Sequence, residues 1–301
     1  MELQVIFINN IQAIHKASGK AWLKQLPAYL EELAHLWNFR FIKQLPDLTY
    51  NFVGLVKLNS NSELAIIKII PDRKLFVSEV RWLKHFVKNT PEIYNIDKKK
   101  SAFLMEYLQP GNPLKTLVQA GDDEKATRII CHTILALQAV QKKIVGFKHL
   151  SALVSDLIFL KGHMDSRVLS KAQSLFHDLT IDHSQDVLLH GDLHHDNIIR
   201  HNNCWKVIDP HGYIGDPAAE SAAMLYNPID CFPNDRSLDV VITTRLNILI
   251  EELPFDAQKI KAWAFCLTAL SAAWNVQDFS TVAKKDIEIV YTLDKIKHGI
   301  L

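Results

Sequence analysis

The feature that most constrains this chain is a dense run of histidine, acidic and amide side chains in its second half. From Leu189 the sequence reads Leu-His-Gly-Asp-Leu-His-His-Asp-Asn-Ile-Ile, and Val-Ile-Asp-Pro follows at positions 207–210. Asp192, Asn197 and Asp209 offer carboxylate and amide oxygens, which are the ligands that Mg²⁺ prefers in proteins. The fold must therefore bring together two short segments that lie on either side of residue 200.

The spacing of these residues matches the catalytic segment of a phosphoryl transferase. In kinases a loop Asp accepts the proton of the substrate hydroxyl, an Asn five positions later holds Mg²⁺, and a later Asp holds Mg²⁺ beneath the phosphates. Asp192, Asn197 and Asp209 stand at these three places. Because a general base must reach the acceptor hydroxyl, we expect Asp192 on a loop, which Gly191 permits.

Two other interpretations of the run stay open at this point. A zinc or dinuclear hydrolase site could use His190, Asp192, His194, His195, Asp196 and Asp209. Such a site usually needs further ligands from distant segments, and His201 and His211 do not fall in a compelling ligand pattern. Ordinary turn acids could explain any one of these residues, but they do not explain the joint spacing.

Three segments resemble the aminoglycoside phosphotransferase superfamily. They are Trp22-Leu-x-x-Leu-Pro27, Met105-Glu-Tyr-Leu-x-Pro-Gly111 and the stretch 188–228. Within the superfamily the chain is most similar to the streptomycin 6-phosphotransferase and hydroxyurea phosphotransferase branch, which shares His-Gly-Asp-Leu-His-His-x-Asn-Ile and Ile-Asp-Pro-x-Gly-x-x-Gly-Asp-Pro. The resemblance implies an α+β, protein-kinase-like bilobal fold. It also implies an antibiotic-resistance enzyme that uses ATP and Mg²⁺ to phosphorylate a hydroxyl of a streptomycin-like aminoglycoside.

Lys68 is the candidate that contacts the nucleotide phosphates. It lies in a predicted strand that is apolar on both faces, and a buried ammonium needs a charged partner. Glu79 can supply the partner charge, because the predicted helix 74–88 places it along an apolar stripe of Leu75, Trp82, Leu83 and Phe86. The resemblance implies the same pair. No Gly-x-Gly-x-x-Gly precedes Lys68, so we expect backbone amides of residues 50–53 to cover the phosphates.

A hinge is predicted after residue 107, where the apolar strand 102–107 meets Leu-Gln-Pro-Gly. The resemblance implies that the backbone at Glu106, Tyr107 and Leu108 contacts the adenine edge. It further implies that the base is sandwiched by Ile66, Ile199 and Ile208, although a plain core role remains an alternative for each isoleucine. We therefore predict a nucleotide-binding lobe at residues 1–108, and a helical lobe with the catalytic loop and acceptor site at residues 109–301.

Hydrophobic periodicity predicts strands in the first lobe and helices in the second. A helical pattern from Trp22 to Trp37 is expected to split at Pro27. A hairpin is predicted for residues 50–58 and 64–70, and a turn for Lys98–Lys100. Helices are predicted at 122–142, 151–160, 166–179, 217–225, 238–252 and 256–275, with a last helix that ends near His298.

The acceptor is the least constrained part of the prediction. Asp216 and Glu220 follow the candidate metal ligand Asp209, and carboxylates of this kind would attract a cationic aminoglycoside. Asp216 could instead cap the helix that starts at Pro217. Hydroxyurea, an amino alcohol, another hydroxylated metabolite or a protein side chain remain alternative acceptors. A pseudokinase scaffold is an alternative of another class, which the joint presence of Lys68, Asp192, Asn197 and Asp209 disfavours.

The amino-acid composition limits the kinds of molecule that the protein is expected to bind. The chain has 301 residues, of which 48% are hydrophobic, and a net charge of +1. A chain of this length and composition can bury a large hydrophobic core. Because its net charge is close to zero, it has no overall electrostatic potential that would attract nucleic acid or an anionic membrane surface. The longest uncharged stretch, 262–276, is shorter than a membrane span. Four scattered cysteines and the absence of a signal sequence at Glu2 predict a cytoplasmic enzyme with a small-molecule partner. The sequence does not indicate an oligomeric state.

Overall fold

The computed structural model describes residues 3–140, 146–282 and 284–296. The chain divides into two compact units, Met1–Gly111 and Asn112–Leu301. The predictions that concern Glu2, the end of the helix at residue 142 and His298 lie outside the described residues.

The first unit is a long helix followed by a five-stranded sheet. Helix α1 spans Val5–Leu36, and helix α2 spans Arg73–His85. The sheet has the order β1-β2-β3-β5-β4, and all of its neighbouring strands are antiparallel. Its strands are β1 (Phe39–Gln44), β2 (Phe52–Leu58), β3 (Leu64–Ile69), β4 (Ile93–Asp97) and β5 (Ala102–Glu106).

The predicted break of the first helix at Pro27 is wrong. Helix α1 continues through Pro27, and its non-helical residue is Lys16, with φ of 50° and ψ of −124°. Proline removes one backbone donor and leaves a carbonyl without its helical partner. Pro27 is exposed, so this carbonyl lies on the side of the helix that faces water. The buried side of the helix, which includes Phe7, Leu26 and Leu30, joins the core of the unit.

The hairpin of β2 and β3 is confirmed, with Val53 opposite Lys68. The turn at Lys98–Lys100 is confirmed as well, because it connects β4 and β5 and its amides at Lys99 and Lys100 donate to Oδ1 of Asp97. Strand β1 was not predicted. Its presence explains Gly54, since a Cβ at that position would lie 2.7 Å from the ring of Phe41.

The second unit is mainly helical. Its helices are α3 (Lys115–Gln119), α4 (Asp123–Gln138), α5 (Ser166–Leu179), α6 (Ala223–Tyr226), α7 (Leu238–Glu252), α8 (Ala257–Phe279) and α9 (Lys284–Lys295), with 3₁₀ segments at Leu150–Leu160 and Pro217–Ser221. Its short strands are β7 (Lys148–His149), β8 (Val187–Leu189), β9 (Ile198–His201), β10 (Cys204–Val207) and β11 (Tyr213–Gly215), while β6 (Pro110–Pro113) spans the boundary of the two units.

Two short strand arrangements position the candidate site. Strands β9 and β10 form an antiparallel hairpin in which Val207 pairs with Ile198. Strand β11 pairs in parallel with β7 and antiparallel with β8. The residues between β8 and β9 therefore connect two separate strand pairings, and this connection carries Asp192.

The helical predictions in this unit differ in accuracy. The predicted bounds of α5 and α7 match the structure. The segment 151–160 is 3₁₀ helix instead of α-helix, and the predicted helix 217–225 divides into a 3₁₀ turn and α6. Helix α8 buries Trp263, Phe265 and Leu270 in the core. No helix within the described ranges has the length and apolar character needed to cross a membrane.

Candidate active site

The loop between β8 and β9 is held in place by His190. This side chain is completely buried. Its Nε2 lies 2.8 Å from the carbonyl of Ile208, and its Nδ1 accepts the amide N–H of Asp192. Burial lowers the pKa of His190 to about 4, so the ring is neutral, with its proton on Nε2. Both ring nitrogens of His190 serve the backbone of the site and do not point to a metal ion.

Gly191 has a conformation that other residues adopt rarely. Its φ is +81°, and a Cβ at this position would lie 2.5 Å from the ring of Tyr213. The glycine is therefore required by both the left-handed backbone and the close approach of an aromatic side chain. The chain turns here and presents Asp192 on a loop, as predicted.

Glu220 supports the same turn from a distant segment. Its Oε2 accepts the amide N–H of His190 at 2.6 Å, and its Oε1 accepts that of Gly191 at 3.0 Å. Burial raises the pKa of Glu220 to about 7, although these two hydrogen bonds favour the ionised form. Glu220 was predicted to contact an acceptor. Its bonds to two loop amides favour support of the loop over direct contact with an acceptor.

Asn197 fixes the orientation of Asp192. Its Nδ2 donates to the Asp192 carbonyl at 2.9 Å and lies 3.2 Å from Oδ2 of the same residue. The backbone amide of Asn197 donates to the carbonyl of His194, which closes the loop. Because the nitrogen of the Asn197 side chain faces Asp192, its Oδ1 is the atom suited to bind a cation.

His194 lies between two acids of the loop. Its Nε2 is 3.5 Å from Oδ2 of Asp192, and its Nδ1 is 3.5 Å from Oδ2 of Asp196. Burial opposes the charge on His194, but Asp192 and Asp196 outweigh it and raise the pKa of His194 to about 9. Burial likewise opposes ionisation of Asp192, but the neighbouring histidines, His194 foremost, lower the pKa of Asp192 to about 2. Asp192 is therefore ionised at neutral pH.

Lys115 extends this network and was not among the predicted site residues. Its Nζ lies 2.8 Å from Oδ1 of Asp196 and 2.9 Å from Oδ2 of Asp230. Its backbone amide also donates to the carbonyl of His195. Lys115 is about 80 residues away from the loop in the chain, and no motif links the two, so the sequence contains no local signal of this contact.

Asp209 directly follows the hairpin of β9 and β10. The amide of Ile208 donates to the carbonyl of Asn197 at 3.0 Å, so Asp209 leaves the hairpin at the end where Asn197 stands. Its φ is +60°. A left-handed backbone at an aspartate is uncommon, and such conformations concentrate at functional sites. The structure thus supports a common location for Asn197 and Asp209.

Asp216 caps the 3₁₀ turn Pro217–Ser221, as the alternative interpretation predicted. Its Oδ1 accepts the amide N–H of Ala218 at 2.9 Å. Its Oδ2 also lies 2.7 Å from Nζ of Lys259 in α8. These two contacts account for the buried carboxylate, and its contact with an acceptor stays a prediction.

In the first unit, Lys68 and Glu79 form the predicted ion pair. Nζ of Lys68 lies 2.8 Å from Oε1 of Glu79, and the two residues are 1% and 5% exposed. The predicted stripe around Glu79 needs one correction, because Leu75 is 49% exposed and Phe76 is buried in its place. Glu79 therefore projects from the buried face of α2 toward β3.

The predicted hinge residues lie at the end of β5. The amide of Glu106 donates to the carbonyl of Glu92, and Oε2 of Glu106 accepts the amide N–H of Glu92. Tyr107 is partly exposed and Leu108 is buried. Ile66 is buried in β3. In the second unit, the half-buried isoleucines Ile199 and Ile208 lie in β9 and directly after β10.

The histidines and acids of the Asp192 loop do not gather as a metal-binding cluster. Across the ranges that the structure describes, one group of three His, Cys, Asp or Glu side chains brings its ligand atoms within 4.8 Å of one another, and it lies elsewhere, at His149, His183 and Asp186. The geometry of the loop therefore does not favour the hydrolase interpretation.

Comparisons with known proteins agree with this geometry. Residues 53–279 match the family model described as "Aminoglycoside/hydroxyurea antibiotic resistance kinase". The chain is 30% identical over 182 residues to streptomycin 3''-kinase from Klebsiella pneumoniae, which covers 59% of this chain and 67% of the relative. It is 24% identical over 272 residues to streptomycin 6-kinase from Streptomyces glaucescens, which covers 87% of each chain.

The fold is also shared with a solved kinase. Choline kinase LicA from Streptococcus pneumoniae superposes with a TM-score of 0.60 at 16% identity, over 90% of this chain and 98% of that chain. This similarity confirms the predicted α+β, protein-kinase-like fold. The relationship to the two streptomycin kinases shows a phosphotransferase with a hydroxyl group as acceptor, and the match over residues 53–279 shows that the chain belongs to the aminoglycoside/hydroxyurea antibiotic resistance kinase family.

Proposed function

We propose that this protein transfers the γ-phosphoryl group of ATP to a hydroxyl of a streptomycin-like aminoglycoside, with Mg²⁺ as cofactor. The observation that carries the proposal is the position of Asp192 on a loop, with its carbonyl and its carboxylate held by Nδ2 of Asn197. The names of the two streptomycin kinases support the acceptor.

Asp192 acts as the general base. Its carboxylate accepts the proton of the acceptor hydroxyl as the oxygen attacks phosphorus, which is the role of the loop Asp in kinases. Asn197 restricts the rotation of this carboxylate, while His190 and Glu220 fix the backbone on which it stands. The loop thus orients the base before the acceptor arrives, which reduces the entropy lost in the transition state.

The donor atoms at Asn197 and Asp209 fit Mg²⁺. Oδ1 of Asn197 and the carboxylate of Asp209 are hard oxygens, and the hydrogen bond from Ile208 to Asn197 brings the two segments together. When bound, Mg²⁺ neutralises the charge of the nucleotide phosphates. The left-handed backbone of Asp209 turns the chain immediately after β10.

The first unit supplies the nucleotide site in this proposal, so residues 1–108 form the nucleotide-binding lobe and residues 109–301 the acceptor lobe. Nζ of Lys68 contacts the phosphates while Glu79 holds it, as in kinases. The backbone at Glu106, Tyr107 and Leu108 binds the adenine edge. In the first unit the base packs against Ile66, whose aliphatic side chain suits a flat ring.

The magnesium ligand is tested by Asp209→Ala. We expect the affinity for ATP in the presence of Mg²⁺ to fall about 10–100-fold, as is typical when metal binding is disrupted. The affinity measured in EDTA should stay unchanged, because the substitution removes a metal ligand and not a nucleotide contact. Calorimetric titration with a non-hydrolysable ATP analogue gives both values. Equal losses with and without Mg²⁺ would contradict the assignment.

The acceptor is tested by a panel of streptomycin, hydroxyurea and an uncharged alcohol, with ADP formation as the readout. We expect turnover with streptomycin, and streptomycin binding that weakens as salt rises, because the attraction between the ionised Asp192 and a cationic acceptor is screened over a Debye length of about 10 Å at 0.1 M. Turnover with hydroxyurea alone would assign hydroxyurea as the acceptor instead. Turnover with the uncharged alcohol alone would remove the aminoglycoside assignment.

Support of the loop by Glu220 predicts an effect on turnover instead of acceptor affinity. In Glu220→Gln one loop amide N–H faces the NH₂ group of the glutamine and loses its acceptor. We expect kcat to fall about 10–100-fold, which corresponds to the free energy of one unsatisfied buried hydrogen-bonding group. The KM for ATP should stay unchanged. Glu288→Gln is the control, since that glutamate is exposed on α9. A rise in the KM of a cationic acceptor with normal kcat would favour direct contact.

The same residue gives a pH dependence to kcat. The pKa of Glu220 is raised to about 7 by burial, so the carboxylate protonates as the pH falls from 8 to 6. One of its two oxygens then carries a proton and becomes a weaker acceptor for the loop amide that it binds. Asp192 stays ionised over this range. We therefore expect kcat at saturating substrates to decrease below pH 7 in the wild type, and this limb to be absent from the residual activity of Glu220→Gln.

A further inference from the structure

We propose that His149, His183 and Asp186 form a binding site for a divalent transition-metal ion of the zinc class. The site is separate from the Asp192 loop and takes no part in phosphoryl transfer. It offers two imidazole nitrogens and one carboxylate oxygen, a ligand set that suits Zn²⁺, Co²⁺ and Ni²⁺ and is a poor match for Mg²⁺.

The three ligand atoms converge on one point. Nε2 of His149 lies 2.9 Å from Oδ2 of Asp186 and 3.1 Å from Nδ1 of His183, and Nδ1 of His183 lies 2.8 Å from the same Oδ2. Ligands of a tetrahedral zinc ion at 2.0–2.1 Å lie about 3.3 Å apart. A shift of a few tenths of an ångström thus converts this triangle into three corners of a tetrahedron.

Hydrogen bonds alone do not satisfy all three contacts. If each histidine donates to Asp186, both N–H groups share Oδ2, and the 3.1 Å contact between the two ring nitrogens is not a hydrogen bond. If only one imidazole nitrogen in the triangle carries a proton, the other presents its lone pair to a carboxylate oxygen. A cation resolves both conflicts, because it accepts a lone pair from every one of the three atoms.

The surroundings permit a metal ion. The side chain of Asp186 is 12% exposed, whereas that of His183 is 57% exposed, so the carboxylate is fixed and the outer ligand can move and leave a coordination position for water. Without a metal, Nδ1 of His149 accepts the backbone amide N–H of Ser151 at 3.0 Å, so the ring proton is on Nε2. A metal at Nε2 moves this proton to Nδ1, where Oγ of Ser151 at 2.8 Å can accept it. This is the kind of second contact that orients metal-bound histidines.

The position of the site in the fold suggests what a bound ion does. His149 is the last residue of β7, and Asp186 directly precedes β8. Both strands pair with β11, which lies between them. An ion held by these residues joins the outer strands of the three-stranded sheet, whose strand β8 leads into the Asp192 loop. The ion therefore stabilises the second unit.

Titration of the metal-free full-length protein with Zn²⁺ tests the proposal, with Co²⁺ as a spectroscopic probe. We expect one Zn²⁺ per chain with micromolar or tighter affinity, a higher melting temperature, and Co²⁺ absorption bands typical of nitrogen and oxygen ligands. His183→Ala should weaken binding at least about tenfold and abolish the rise in melting temperature. Turnover by His183→Ala in Mg²⁺ should equal that of the wild type.

Two further variants test whether Zn²⁺ binds at this cluster and not at other side chains. His177→Ala removes an exposed histidine of α5 outside the cluster and should leave Zn²⁺ binding unchanged. Asp186→Asn keeps the shape of the carboxylate and should lower affinity as His183→Ala does. Unchanged Zn²⁺ affinity in His183→Ala, or a Co²⁺ spectrum with sulfur ligands, would overturn the proposal, and so would the absence of Zn²⁺ binding at micromolar concentration.

Discussion

Asp192→Asn should lower kcat by about 10²–10⁴-fold, the usual contribution of a general base, while the affinity for ATP and Mg²⁺ stays within a factor of about two. The amide has nearly the shape of the carboxylate, so the contact with Nδ2 of Asn197 can persist through its oxygen. It has no basic lone pair with which to accept the proton of the acceptor. Steady-state kinetics together with nucleotide titration of the same preparation give both quantities.

Asp196→Asn is the matched control for this result. Asp196 lies on the same loop and also contacts His194, but it pairs with Lys115. We expect a smaller loss of kcat, because Asp196 acts through its neighbours and does not receive the proton. A loss of nucleotide affinity in Asp192→Asn as large as the loss of kcat would instead place Asp192 at the metal.

Glu79→Leu should destabilise the first unit by about 3–5 kcal/mol, the usual effect of removing one member of a buried ion pair. Lys68 is 1% exposed, so water cannot replace the carboxylate. The double variant Lys68→Met, Glu79→Leu should recover most of this stability, since an apolar pair of similar volume avoids the desolvation penalty. Urea unfolding followed by the fluorescence of Trp82 and the other tryptophans of the unit measures the free energy of unfolding.

Nucleotide binding distinguishes a structural ion pair from a functional one. If Lys68 contacts the phosphates, the double variant is stable and yet binds ATP weakly. Normal ATP affinity in the stable double variant would show that the pair serves only the packing of α2 on β3. Arg73→Met, at the exposed start of α2, is a control for the loss of positive charge. It should change neither the free energy of unfolding nor the affinity for ATP.

Much of the fold followed from local sequence patterns. The β2 and β3 hairpin, α5 and α7 were predicted because turn residues or proline mark their ends, and α5 also has a regular amphipathic pattern. The pairing of Lys68 with Glu79 followed from the penalty for burying either charge alone. Strand β1 was missed because Arg40 and Lys43 interrupt its apolar pattern. The kink at Lys16 was missed because no proline or glycine marks it.

The contacts that organise the candidate site could be predicted only in part. The spacing of Asp192, Asn197 and Asp209 identified the residues that offer oxygens. It contained no information on Lys115 or on the histidine nitrogens that hold the backbone, because these contacts depend on tertiary proximity. Glu220 was identified as part of the site, but its bonds to the amides of His190 and Gly191 required the structure.

The segment after β11 has an evolutionary consequence. Asp216 and Glu220 are both occupied in building the enzyme, one by capping a turn and binding Lys259, the other by binding the loop amides. Selection for a new acceptor therefore has little freedom here, because substitutions would damage turnover with every acceptor. Changes in acceptor specificity should instead accumulate at positions whose side chains make no bond to the Asp192 loop, so that the range of acceptors can broaden while the rate of phosphoryl transfer is preserved.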